Sequence, residues 1–184
     1  MWGYLNNYTD LGLYYNCDIP YYYSNLRAYS DASWASQLDN RKSVTGYAVF
    51  LYKNIISWQT STQKAIALSS CEAEYMAIRD TARELVFISN VYTYINNAIF
   101  NSNYRVKIPP ILTDNEAALK ISYNSEFHKK TKHIDIAYHY TRELVKNKKI
   151  AIFFIRGKDN IADFFTKPLG LNNYNNFKQD LCLK

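Results

Sequence analysis

Cysteine is scarce: Cys17, Cys71 and Cys182 are the three in 184 residues. They are too few and too scattered for a disulfide or structural-zinc framework, which fits a reducing compartment. Long apolar runs are also missing. The best is Ile150 to Ile155, far short of the ~20 residues that span a bilayer. The start, Met1-Trp2-Gly3-Tyr4, lacks a basic stretch and an apolar segment after it, so no secretory signal and an intracellular location are expected. Apolar residues are not lacking: 48% apolar against 21% charged excludes global disorder. The length suits one domain, or one domain with a short appendage, able to bury a core without covalent staples.

Lys and Arg number 22 and Asp and Glu 16, for a net charge of +6. Nearly all the excess is local. Lys129, Lys130, Lys132, Arg142, Lys146, Lys148 and Lys149 face only Asp135 and Glu143 between positions 129 and 149, a net +5. A solvated lysine-rich helix is the ordinary explanation; a surface for a polyanion, nucleic acid first among them, is the functional one.

Hydrophobic period divides the chain. Leu26 to Trp34, Ser43 to Tyr52 and Ile55 to Gln59 read as three strands with short links, Lys53-Asn54 serving as the second link. That predicts an antiparallel meander. From Ser69 to about Ile99 the period becomes helical, with Cys71, Tyr75, Ile78, Ala82, Leu85, Ser89 and Tyr92 on one face and Ser69 or Ser70 as cap. Ile108 to Thr113 is a fourth strand, Asn115 to Ser122 a short helix, and Ile134 to Lys148 an amphipathic helix. Ile150 to Arg156 reads as an interior fifth strand, apolar on both faces. Asn160 caps a last helix to Thr166, stopped by Pro168. The tyrosine-rich residues 1 to 23 show no clean period, only a short strand at Leu13 to Tyr15. The order βββ-α-β-α-α-β-α predicts an α/β fold with a mixed sheet.

Four acids stand out because of where they fall. Asp31 lies inside the first strand, a poor place for aspartate. Asp114 ends the fourth strand, where a helix cap would explain it. On the long helix Glu72 falls on the side of Arg79 and Arg83, an ion-pair face; Glu74 falls beside Ala77, Ile78, Thr81 and Leu85, with no cation of its own. Asp163 sits in the first turn of the last helix, where the dipole would explain it. If strands one and four are neighbours, Asp31 and Asp114 lie side by side at the sheet centre and repel. A divalent cation resolves that, and carboxylates suit Mg²⁺ or Mn²⁺.

The segments Tyr29-Ser30-Asp31-Ala32-Ser33-Trp34, Arg41 to Tyr47, Ile56-Ser57-Trp58-Gln59, Ala67 to Tyr75, Thr113-Asp114-Asn115, Thr131 to His139 and Asn160 to Leu169 together resemble the ribonuclease H domain of copia-type LTR retrotransposon polyproteins. The likeness runs from about Leu26 to Leu169. It implies a ribonuclease H-like domain over 26–170, a five-stranded mixed sheet of a three-strand meander plus two parallel strands, flanked by helices. Residues 1–25 would be the remnant of the segment joining a reverse transcriptase to that domain, and 171–184 a C-terminal tail. The implied activity is hydrolysis of the RNA strand of an RNA–DNA hybrid with two Mg²⁺ held by Asp31, Glu74, Asp114 and Asp163, and no small-molecule cofactor. Ala32, Ser33, Ser70 and Asn115 would touch the hybrid near the cut, and Lys129, Lys130 and Lys132 its phosphates. A virus-like particle in the cytoplasm, or the nucleus, would house it. Many such enzymes carry a histidine before the fourth acid; here the loop is Arg156-Gly157-Lys158-Asp159.

His133 and His139 read as packing or polar-contact residues, His128 has no assignable role, and Trp34 and Trp58 read as core. An inactive retroelement remnant that at most binds nucleic acid is the competing reading. The opening meander argues against a third reading, a phosphoacceptor receiver domain, since receivers are parallel throughout.

Overall fold

The computed structural model describes residues 12–15, 26–101, 103–123, 132–168, 170–181 and 183. The elements are β1 (Leu26–Ser33), β2 (Val44–Leu51), β3 (Asn54–Thr62), α1 (Ser70–Phe100), β4 (Pro110–Thr113), α2 (Glu116–Tyr123), α3 (Lys132–Lys146), β5 (Ala151–Phe154), two short 3-10 helices at Gly157–Asp159 and Ile161–Phe165, and α4 (Leu171–Asp180). The sheet runs β3-β2-β1-β4-β5. β1, β2 and β3 are antiparallel; β4 is parallel to β1 and β5 parallel to β4. This is the mixed five-stranded sheet that the period changes predict.

Alternation along β2 explains how the sheet is covered on both faces. Tyr47 and Val49 join Leu26, Ala28, Tyr75, Ile78, Ala82, Leu85 and Ile111 in the core under α1. Ala48 and Phe50 join Ile55, Ile161, Phe177 and Leu181 on the other side. The long helix therefore covers one face, while the second 3-10 helix and α4 cover the other. Residues 171–180, within the segment set apart as a tail, thus contribute a buried Phe177, and Leu13 forms a bridge with Leu183.

Three expectations need correction. The hairpin link is Tyr52-Lys53, one residue earlier than expected, because Leu51 pairs with Asn54 and Tyr52 takes the left-handed turn conformation at φ 59°. β5 is an edge strand, not an interior one: Ile152 is buried, but Phe153 and Phe154 are 54% and 45% exposed. An unbroken apolar run marks a strand, but it does not say how many neighbours the strand has. The last predicted helix is a 3-10 helix, closed by Asp163 N–H to Asn160 O (3.1 Å) and Thr166 N–H to Asp163 O (3.2 Å).

Candidate metal centre

Parallel pairing of β1 and β4 sets Ala28 opposite Ile111 and Tyr29 opposite Leu112. Two residues further on, the same register places Asp31 beside Asp114. Asp31 is 1% exposed in the middle strand; Asp114 is half-buried just past β4. Asp114 has no capping duty. The side-chain oxygen of Asn115 accepts from Ala118 N–H at 2.9 Å and caps α2 instead.

Glu74 arrives from α1. Ala77, Ile78, Thr81 and Leu85, its helical neighbours, are all buried, so that edge of the helix faces the sheet and carries Glu74 to it. Glu72 departs from expectation. It is buried rather than paired with Arg79 or Arg83: Ser69 Oγ accepts from Glu72 N–H (3.2 Å), and Glu72 Oε2 accepts from Leu68 N–H (2.7 Å). Ser69 caps the helix through the Glu72 amide, and Glu72 reaches back past the cap to the amide of Leu68. Arg79 bonds its neighbour Asp80 at 2.8 Å.

One oxygen from each of Asp31, Glu74 and Asp114 lies within 4.8 Å of the others, among the described residues. Asp31 Oδ1 and Glu74 Oε2 are buried without a hydrogen-bond partner. Burial, then the charges of Asp31 and Asp114, push the Glu74 carboxyl up to about 9, although the Ala32 amide and Lys167 pull the other way. Buried acids crowded this closely, with unpaired oxygens, match the donor set of a hard, oxygen-loving cation.

The fourth acid joins through a cation of the chain itself. Lys167 Nζ bonds Asp163 Oδ1 at 2.7 Å and lies 3.4 Å from Asp31 Oδ2. Thr166 Oγ1 donates to the same Asp31 Oδ2. Burial raises the Asp163 pKa, and Asp31 adds to the rise despite Lys167. For Lys167 burial lowers the pKa, but its bond to Asp163 and the charge of Asp31 outweigh it, and the pKa ends raised.

Two residues hold this arrangement from below. Fully buried Asn160 donates from Nδ2 to Ser30 O at 3.0 Å and to Asp114 Oδ1 at 3.4 Å, while its own oxygen accepts from Ala162 N–H at 3.2 Å. It ties β1, Asp114 and the 3-10 helix of Asp163 together. Gly157 stands against Asp114: a Cβ there would come within 2.9 Å of Asp114 Oδ2.

No family model matches the chain. It is 36% identical over 149 residues, 81% of its length, to the retrovirus-related Pol polyprotein from transposon TNT 1-94 of Nicotiana tabacum. It is 36% identical over 154 residues, 83% of its length, to that from transposon RE1 of Arabidopsis thaliana. The chain spans 11% and 10% of those polyproteins. Among solved structures, the N-terminal RNase H domain of Rv2228c from Mycobacterium tuberculosis matches with a TM-score of 0.52 at 12% identity, over 84% of this chain and 97% of that one. LC11-RNase H1, solved in complex with RNA/DNA hybrid, matches with 0.53 at 12% identity, over 77% and 93%. The fold is that of ribonuclease H.

Within the ribonuclease H fold the remaining expected residues fall as follows. Ala32 packs its side chain against Ala67, Ala73 and Ala77, and its amide hydrogen-bonds Glu74. Ser33 ends β1, Ser70 is exposed in the first turn of α1, and Asn115 is taken up as a cap. Lys132 opens α3; Lys129, Lys130 and His128 lie outside the described residues. His133 lies on α3 and His139 is exposed there. Trp34 and Trp58 are not core, being 49% and 50% exposed. Trp34 leaves the end of β1 and spends its indole N–H on Ala67 O at 3.0 Å; Trp58 lies on edge strand β3, where a ring is covered from fewer sides. Sequence reasoning missed Thr166 and Lys167, although both follow Asp163 at helical spacing (three and four residues on), the signal that would have found them.

Proposed function

We propose that the chain is the ribonuclease H domain of a copia-type retrotransposon Pol polyprotein and that it hydrolyses the RNA strand of an RNA–DNA hybrid. The domain would run over 26–170, with 1–25 as the link from a reverse transcriptase. The convergence of Asp31, Glu74 and Asp114 on one point, with two buried oxygens left unpaired, is the observation that carries the reading. The likeness to transposon Pol polyproteins supports it.

Asp31, Glu74, Asp114 and Asp163 would hold two divalent cations, Mg²⁺ with Mn²⁺ as a substitute. Bound there, such ions supply an activated water and neutralise charge at the departing 3′-oxygen. Asn160 fixes Asp114 against β1, and the Ala32 amide orients Glu74. Ser33, at the end of β1, and Ser70, in the first turn of α1, would contact 2′-hydroxyl groups, which tell RNA from DNA. Lys129, Lys130 and Lys132 would meet phosphates.

The test is cleavage of an end-labelled hybrid with Mg²⁺. Cutting of the RNA strand that disappears in Asp114→Asn supports the reading. Salt-sensitive binding of the hybrid with no cleavage would make the chain a nucleic-acid-binding remnant instead.

A further inference from the structure

The acids divide into two halves that differ in what they already hold. Asp31 belongs to both. Its Oδ1 is buried with no partner, as is Glu74 Oε2, and Asp114 lies within 4.8 Å of both residues' carboxylates. Its Oδ2 takes a hydrogen bond from Thr166 Oγ1 and the ammonium of Lys167 at 3.4 Å. The same ammonium holds Asp163 Oδ1 at 2.7 Å. One half thus keeps two buried oxygens without a partner. The other is already closed by a positive charge.

We infer that Lys167 stands in the place of the second divalent cation and has to leave before that ion can enter, so that the two ions load in a fixed order. This rests on the reading of the four acids as a metal centre. The first ion would enter beside Asp114 at Asp31 Oδ1 and Glu74 Oε2, two oxygens that hold no donor to displace. The second would need Asp31 Oδ2 and Asp163, whose negative charge Lys167 neutralises.

An ordinary surface ion pair does not look like this one. Such pairs join two exposed side chains and contribute little. Here one ammonium spans two acids, and one of them, Asp31, is 1% exposed. Lys167 itself is 42% exposed, so its four-carbon stem can carry the head group into water without unpacking the core. It also lies two residues beyond the 3-10 helix that presents Asp163. Removing the ammonium leaves Asp31 and Asp163 uncompensated, which strengthens their hold on any other cation.

The test counts bound Mn²⁺ at equilibrium, by the electron paramagnetic resonance signal of the free ion, in the wild-type chain, Lys167→Met and Lys167→Arg. No nucleic acid or turnover is required. In Lys167→Met the second ion should bind at least about tenfold more tightly, a gain clearly larger than that of the first ion, which shares only Asp31 with it. Lys167→Arg, which keeps the charge, should behave as wild type. Lys167→Gln serves the same purpose if the methionine variant does not fold. A second-ion affinity that is unchanged or weaker in the uncharged variants, with the first ion still bound, overturns the role of Lys167 and leaves the metal centre standing. Failure of any variant, wild type included, to bind Mn²⁺ at the acids overturns both.

Discussion

Gly157 and Asp114 touch across the site: a Cβ at Gly157 would sit 2.9 Å from the Oδ2 of Asp114, closer than real Cβ contacts come. The atom in the way is the end of a side chain, so it can turn aside. Gly157→Ala should therefore fold normally, with a stability change below about 1 kcal/mol, while the displaced carboxylate loses its place among the acids. Mn²⁺ affinity should fall at least about tenfold. Titration of the ion against the folded variant checks this, and an unchanged affinity would show that Asp114 is free to move without consequence.

Gly46 makes the contrasting case. A Cβ there would meet Thr166 Cγ2 at 2.5 Å, Phe165 Cβ at 2.9 Å and Ala162 O at 3.1 Å. These atoms belong to the segment that carries Asp163, packed face to face with β2, and they cannot simply rotate away. Gly46→Ala should destabilise the fold by about 1–3 kcal/mol, the range for overpacking. Urea denaturation should place it well below Gly157→Ala, and equal midpoints would count against this packing.

The two glutamates of α1 should respond oppositely to loss of charge. Glutamine keeps a side-chain oxygen that can accept from the Leu68 amide as glutamate does, so Glu72→Gln should leave hybrid cleavage nearly intact. Glu74→Gln should abolish it. The ion-free protein adds a pH signature. The Glu74 carboxyl has an ordinary value of 4.5 and sits at about 9 in the fold, so the folded chain keeps a proton that the unfolded chain gives up. The stability this group contributes is complete below 4.5 and is lost as pH rises toward 9. Melting midpoints measured between about pH 6 and pH 9 should fall more steeply in wild type than in Glu74→Gln. Binding of Mn²⁺ near neutral pH should release about one proton from this group, visible by calorimetry in buffers of different ionisation enthalpy.

Neutralising Lys129, Lys130 and Lys132 together should weaken hybrid binding and flatten its dependence on salt. Each lost phosphate contact lowers the slope of log affinity against log salt by about 0.7–0.9. Fluorescence anisotropy over a salt series reads it directly, and an unaltered slope would assign those lysines to solubility.

Much of the sheet was legible in the residues because period and neighbour order leave few arrangements. That Asp31 and Asp114 would meet was legible only on the condition that strands one and four are neighbours, which the parallel pairing of β1 and β4 supplies. Glu74 could be separated from Glu72 by helical angle alone, and its buried neighbours agree. The job of Glu72 was misread because an angle says which way a side chain leaves the helix, whereas its bond depends on where the chain before the cap brings the Leu68 amide. Trp34 and Trp58 were misplaced because large aromatic rings usually lie inside, and an edge strand and a strand end are where that habit fails. Spacing from Asp163 could have pointed to Thr166 and Lys167, but their meeting with Asp31 spans 135 and 136 positions of sequence, a distance over which no local pattern reports a contact.

Asp31 lies in a strand paired on both sides, two strands from either margin of the sheet. Backbone amides in such a place exchange with solvent deuterium only when the whole domain opens, not through fraying at an end. The mutual repulsion of the acids is therefore charged against global stability, and occupancy by a cation should slow exchange at the slowest amides of β1 rather than at the loops.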